Sequence, residues 1–93
     1  MQHFDWREQL AQVMEECAEL SVVCNHIRRG RSDPDKNKAD AAKLASEIAD
    51  VQIMIEQLTL KYSDLEEEIS IAKKEKLSRL SERISRKIEK EKL

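Results

Sequence analysis

Leu10-Ala11-Gln12-Val13-Met14-Glu15-Glu16-Cys17-Ala18-Glu19-Leu20 is the stretch that sets the fold class of this chain. Its apolar residues fall at Leu10, Val13, Met14, Cys17 and Leu20, and the pattern runs on through Cys24 and Ile27. Steps of three and four place them on one face of an α-helix. Asp5 followed by Glu8 reads as a capping box with Asp in the place of Ser or Thr. The pattern stops at Arg28-Arg29-Gly30, where basic residues in a last turn and a glycine just beyond it mark a helix end.

Working outward, residues 30–38 form the one clear loop, and Asp33-Pro34 within it can start a helical turn, because proline suits the first helical position. A second helix is expected from about Ala39 to Tyr62, with the stripe Leu44, Ile48, Val51, Ile55, Leu58 and Tyr62. Ser63 with Glu66 makes a second capping box. A third helix follows with the stripe Leu65, Ile69, Ala72, Leu77, Leu80, Ile84 and Ile88, close to a heptad seam, unless it continues straight from the second. One glycine, one proline and 3% aromatic residues leave little for turns or strands. The fold class expected is all-α.

A chain of 93 residues makes one domain, here a hairpin over residues 1–62 and a basic C-terminal helix over 63–93. A chain of this size buries only about 60–65% of its unfolded surface. A long-helix bundle completed by homo-oligomerisation, as a homodimer or homotetramer, is therefore expected. The net charge of −2 is unevenly spread: residues 1–72 carry 15 acidic and 8 basic side chains, residues 73–93 carry 9 basic and 4 acidic. The basic segment is either a solvated helix face or a counter-charge for an anion or an acidic partner surface. It is interleaved with glutamate and lacks an aromatic platform, which argues against nucleic acid as a partner.

Cys17 and Cys24 are the only cysteines, seven apart on one helix face and so about 10 Å apart, too far for a disulfide. They read as small core residues in a reducing compartment. There is no apolar run of membrane-spanning length and no basic start with an apolar stretch like that of a signal peptide. A cytoplasmic protein with no membrane partner is expected.

The acids are more informative. At about 100° per residue, Glu16 lies at the edge of the first apolar stripe, with Val13 at i−3, Leu20 at i+4 and Val23 at i+7, and Glu19 follows one turn on. Glu47 falls inside the second stripe, with Val51 at i+4, Met54 at i+7 and Leu58 at i+11, and Asp50 sits at its edge. Buried ionised carboxylates are unfavourable unless paired or metal-bound, and converging ones raise each other's pKa. Magnesium, which prefers oxygen ligands, resolves that conflict. The alternatives are salt bridges to Arg and Lys of the third helix, or a simple pair of Glu47 with Lys43 at i−4.

The strings Glu15-Glu16-Cys17-Ala18-Glu19 and Glu47-Ile48-Ala49-Asp50, separated by 27 residues, resemble the EExxE…ExxD signature of the MazG-like nucleotide pyrophosphohydrolases, in the flavour of short phage-type members. The resemblance covers residues 6–62 and extends to the basic segment Lys76-Leu77-Ser78-Arg79-Leu80-Ser81-Glu82-Arg83. It implies cleavage of a nucleoside or deoxynucleoside triphosphate between the α and β phosphates, giving the monophosphate and pyrophosphate. By motif position, Glu16, Glu19, Glu47 and Asp50 would ligate Mg2+ (or Mn2+), and Glu15 would act behind them or orient water. Lys76, Arg79 and Arg83, at i, i+3 and i+7 on the third helix, either contact the terminal phosphates or form a solvated face paired with Glu75 and Glu82, and the family points to Asn25 as a nucleotide contact. Trp6 is a base-stacking candidate, although packing is the commoner use of such a residue. His26, nearly on the face of Glu19, could reach a phosphate or lie exposed near the helix end. The brevity of the chain leaves no obvious accessory domain for base recognition. Rival expectations are a relative acting on dUTP or a phosphoribosyl nucleotide, and a non-enzymatic helical or coiled-coil adaptor.

Overall fold

The computed structural model describes residues 6–92. They form three helices: α1 (Trp6–Arg28), α2 (Lys38–Lys61) and α3 (Ser63–Lys92). No strand occurs among the described residues, and no helix is long and apolar enough to cross a membrane. The chain divides into two compact units, Met1–Lys61 and Tyr62–Leu93.

Local chemistry explains the helix ends. Gly30 takes a φ of 75°, a left-handed conformation open to glycine without steric penalty. Its N–H donates to the Ile27 carbonyl at 3.0 Å, and the Arg31 N–H donates to His26 at 2.8 Å. That pair of bonds is the Schellman closure of α1. Asp33 caps the short turn opened by Pro34: its Oδ1 accepts the amides of Asp35 and Lys36 at 3.1 and 3.3 Å. Asn37 caps α2, its Oδ1 taking the amides of Ala39 and Asp40 at 2.9 and 3.2 Å. Asp40 reaches back to accept the Asp33 amide at 2.8 Å, which ties the connection to the first turn of α2. The break before α3 is closed by backbone, with the Leu65 amide on the Tyr62 carbonyl at 3.0 Å. Asp5, the expected cap of α1, lies outside the described residues.

Within the first unit α1 packs on α2. The Gln9 side-chain amide donates to Gln57 Oε1 at 3.4 Å, while Glu16 and Glu19 meet Glu47. Low numbers on one helix oppose high numbers on the other, so the pair is an antiparallel hairpin. Its interior is thin. Val23, at 9% exposure, is the only buried hydrophobic residue among those described, and the other buried side chains are Gln9 at 3% and Glu47 at 6%.

The inward faces are rotated from the expected stripes. On α1 the covered positions are Gln9, Leu10, Val13, Glu16, Leu20 and Val23, whereas Cys17 and Cys24, expected in the core, are exposed, as is Met14 at 72%. On α2 the face centres on Leu44, Glu47, Val51, Met54 and Leu58, leaving Ile48, Ile55 and the residue after the helix, Tyr62, exposed. The cause is geometric. Each helix carries apolar side chains over more than one stripe, and one neighbouring helix covers only a sector of roughly 100°. On the second unit, Leu65 and Ile69 of α3 are half-buried, while Ile71, Leu77, Leu80, Ile84 and Ile88 are exposed.

Candidate metal centre

Three carboxylates from two helices converge. Glu16 and Glu19 are one turn apart on α1, and Glu47 faces them from α2. Each offers a carboxylate oxygen that lies within 4.8 Å of the others. Glu47 is buried, Glu16 half-buried and Glu19 exposed, so the cluster runs from the interior of the hairpin to its edge.

Glu47 uses one oxygen and leaves the other. Its Oε1 pairs with Lys43 Nζ at 3.0 Å, one turn back on α2. Its Oε2 is buried with no hydrogen-bond partner, and so is Oε2 of Glu16. A buried acceptor left unsatisfied is destabilising, the more so when it is charged. Burial raises the pKa of Glu16 above its ordinary 4.5, and the charges of Glu19, Asp50, Glu47 and Glu15 add to the rise. The same negative surroundings also raise the pKa of Lys43. Its hydrogen bond to Glu47 and that carboxylate's charge hold its proton more firmly, and Glu19 and Asp50 reinforce them.

The donor set suits a hard divalent cation. Three carboxylates, two of them with an unpaired buried oxygen, offer oxygen ligands and a net negative charge, which magnesium and manganese accept. Lys43 satisfies one oxygen of this set, so the expected alternative of a simple Lys43–Glu47 pair is present and incomplete.

The other sequence candidates are placed as follows. Asp50 is half-buried one turn after Glu47 and stands outside the converging triplet, acting on it through its charge. Glu15 is exposed beside Glu16. Asn25 is half-buried, and its Oδ1 accepts from Arg28 Nη2 at 3.1 Å, a bond within the last turns of α1. Trp6 opens α1 with its indole exposed. Lys76, Arg79 and Arg83 are exposed on α3, in the second unit.

A groove of about 580 Å³ adjoins the triplet, and Glu19 and Glu47 form part of its lining. Val22 and Val23 supply apolar surface, and His26, Arg31, Ser32, Asp40 and Lys43 complete it. Sequence reasoning weighed Lys43 only as a partner for Glu47 and did not single out Arg31. The available signal was the position of Arg31 just past the helix-ending Gly30, which puts it beside the last turn of α1. No family model, no curated protein and no solved structure matches the chain.

Proposed function

We propose that the chain is a magnesium-dependent, MazG-like pyrophosphohydrolase that converts a nucleoside or deoxynucleoside triphosphate to its monophosphate and pyrophosphate. One observation carries this reading. Glu16, Glu19 and Glu47 converge from two helices within 4.8 Å, and two of their oxygens are buried without a partner. Charged helices commonly carry acids at i, i+3 spacing, but they keep them solvated. Here the most buried acid, Glu47, occupies a position that apolar packing would otherwise fill.

Glu16, Glu19 and Glu47 would hold the cation, and Asp50 would add charge as the fourth acid. When bound, the cation supplies positive charge to the phosphate oxygens and acidifies the attacking water. The carboxylates hold the reacting groups in place, and one of them accepts the proton that the water loses. Glu15, exposed at the rim, orients water or supports Glu16. Manganese fits the same oxygen set. Glu19, at the exposed edge, admits the substrate from the solvent side.

The active form would be a homodimer or homotetramer working in the cytoplasm. Support comes from Met14, Val22, Ile48, Ile53 and Ile55, large apolar side chains that the hairpin leaves exposed. A second reading, a helical adaptor without catalysis, draws on the exposed stripe Leu77, Leu80, Ile84 and Ile88 of α3. It gives no account of Glu47. The deciding experiment is a pyrophosphate-release screen across the common ribo- and deoxyribonucleoside triphosphates, dUTP included, with and without magnesium. Metal-dependent release from one or more of them is expected. Silence across the panel at high protein concentration would leave the adaptor standing.

A further inference from the structure

The groove beside the carboxylates contains cations that metal ligation does not require. Arg31 follows the left-handed Gly30 and its amide is pinned to His26, so its backbone is held at the end of α1. Lys43 projects from α2 with its side chain 64% exposed, and only its tip is engaged, by Glu47. His26 lies in the same lining. A volume of about 580 Å³ lies within the usual range for small-molecule sites, roughly 300–1,000 Å³.

The charge of this lining sets a condition on what it can hold. Glu19, Asp40 and Glu47 outnumber Arg31 and Lys43, and Lys43 is already spoken for by Glu47. A polyphosphate entering that arrangement would meet a net negative surface. A dication on the glutamates offsets that negative excess and competes with Lys43 for the charge of the Glu47 carboxylate, whose Oε2 is already unpartnered. The lysine ammonium, on a flexible four-carbon stem, is then free to swing to an anion.

We infer that this groove is a polyphosphate subsite assembled in order: the metal displaces Lys43 from Glu47, and Lys43 then joins Arg31 and His26 in holding the terminal phosphates of the triphosphate. The inference rests on the hydrolase reading and assigns the pyrophosphate end of the substrate to the hairpin itself, in the same unit as the carboxylates. It gives Lys43 two opposed effects, as a competitor of the metal and as a ligand of the anion, a combination that a merely structural ion pair does not have.

The test measures binding rather than turnover. Manganese binding is followed by electron paramagnetic resonance. Inorganic tripolyphosphate is titrated calorimetrically, once without metal and once with magnesium in excess over protein and ligand. The wild-type chain should bind tripolyphosphate only in the presence of magnesium. Lys43→Met should bind manganese about twofold or more tightly, because an i, i+4 competitor is gone, and tripolyphosphate about tenfold more weakly. Arg31→Ala should leave manganese affinity within twofold and weaken tripolyphosphate by a similar factor. Weaker manganese binding by Lys43→Met overturns the exchange. Unchanged tripolyphosphate affinity in both variants, or equal affinity with and without metal, overturns the subsite while leaving the metal centre intact. Absence of manganese binding by the wild type overturns the hydrolase reading and the subsite together.

Discussion

Glu47→Gln separates a ligand from a structural ion pair, because the two roles predict thermal shifts of opposite sign. The side chain is only 6% exposed, with Oε1 on Lys43 at 3.0 Å and Oε2 unpartnered near the glutamates of α1. The amide is nearly isosteric, so packing is retained. It forfeits the ion pair, worth about 0.3–0.5 kcal/mol for an i, i+4 contact. It also removes a charge from a crowded acidic cluster and introduces an N–H donor among acceptors, which favours the metal-free fold by about 1 kcal/mol. The net is a modest gain, equivalent to a few degrees in Tm for a chain of this size, since 1 kcal/mol corresponds to about 4–8 °C. With metal the order reverses. The wild type gains about 2.7 kcal/mol at a hundredfold excess over Kd, and the variant gains little. Scanning calorimetry with and without magnesium should therefore show the variant melting above the wild type when metal-free and below it when loaded. Pyrophosphate release should fall by more than about 100-fold. A variant that keeps the full magnesium shift and full turnover would refute the ligand assignment. One that melts lower without metal would refute the claim that the unpartnered Oε2 costs the metal-free fold more than the Lys43 pair returns.

Three other perturbations test neighbouring parts of the argument. Because Glu16 has a pKa raised above 4.5 in the folded hairpin, the metal-free protein should gain stability as pH falls from neutral through that raised value, the gain being complete below 4.5. Melting curves between pH 7.5 and 4.5 check this, and Glu16→Gln should flatten that part of the profile, whereas magnesium stabilisation should shrink over the same interval. Gly30→Ala should destabilise by about 1 kcal/mol, because a left-handed φ of 75° strains any residue with a Cβ even in open space; chemical denaturation measures it. Gln9 is 3% exposed with an unpartnered Oε1 and one long hydrogen bond to Gln57, so the double change Gln9→Leu with Gln57→Leu should raise the denaturation midpoint, while Gln9→Leu alone should gain less.

Helix content and the Gly30 end of α1 were plain in the sequence because they depend on local chemistry, whereas the Asn37 cap of α2 was not singled out. Gly30 after Arg28-Arg29, Pro34 after Asp33, and the three-and-four spacing of apolar residues each act within one turn of themselves. Which face turns inward was less plain, because that choice is made between helices. Cys17, Cys24, Met14 and Ile48 share the apolar character of Val13, Val23, Leu44 and Val51, and periodicity cannot rank two adjacent stripes when a single partner helix covers one. The acids were legible for a related reason. Glu16 and Glu47 stood out as charges among apolar neighbours, and the observed rotation carries Glu47 further inward than the wheel placed it. The groove's cations were illegible since Arg31 lies in a loop, where no period relates it to α2.

The antiparallel register has a consequence for how the hairpin tolerates insertions and deletions. Sliding α1 past α2 by one helical turn displaces its side chains by about 5.4 Å. That step exceeds the 4.8 Å span within which the three carboxylate oxygens lie. Yet the interior is thin, with Val23 the one buried hydrophobic among the described residues, so packing alone sets the register weakly. Alignment is therefore guarded less by oily packing than by the short connector, where Gly30, Asp33, Asn37 and Asp40 stitch the end of one helix to the beginning of the next. Exchange of surface residues leaves that alignment intact, whereas adding or removing a residue between Gly30 and Asn37 would misalign the acids while the two helices persist.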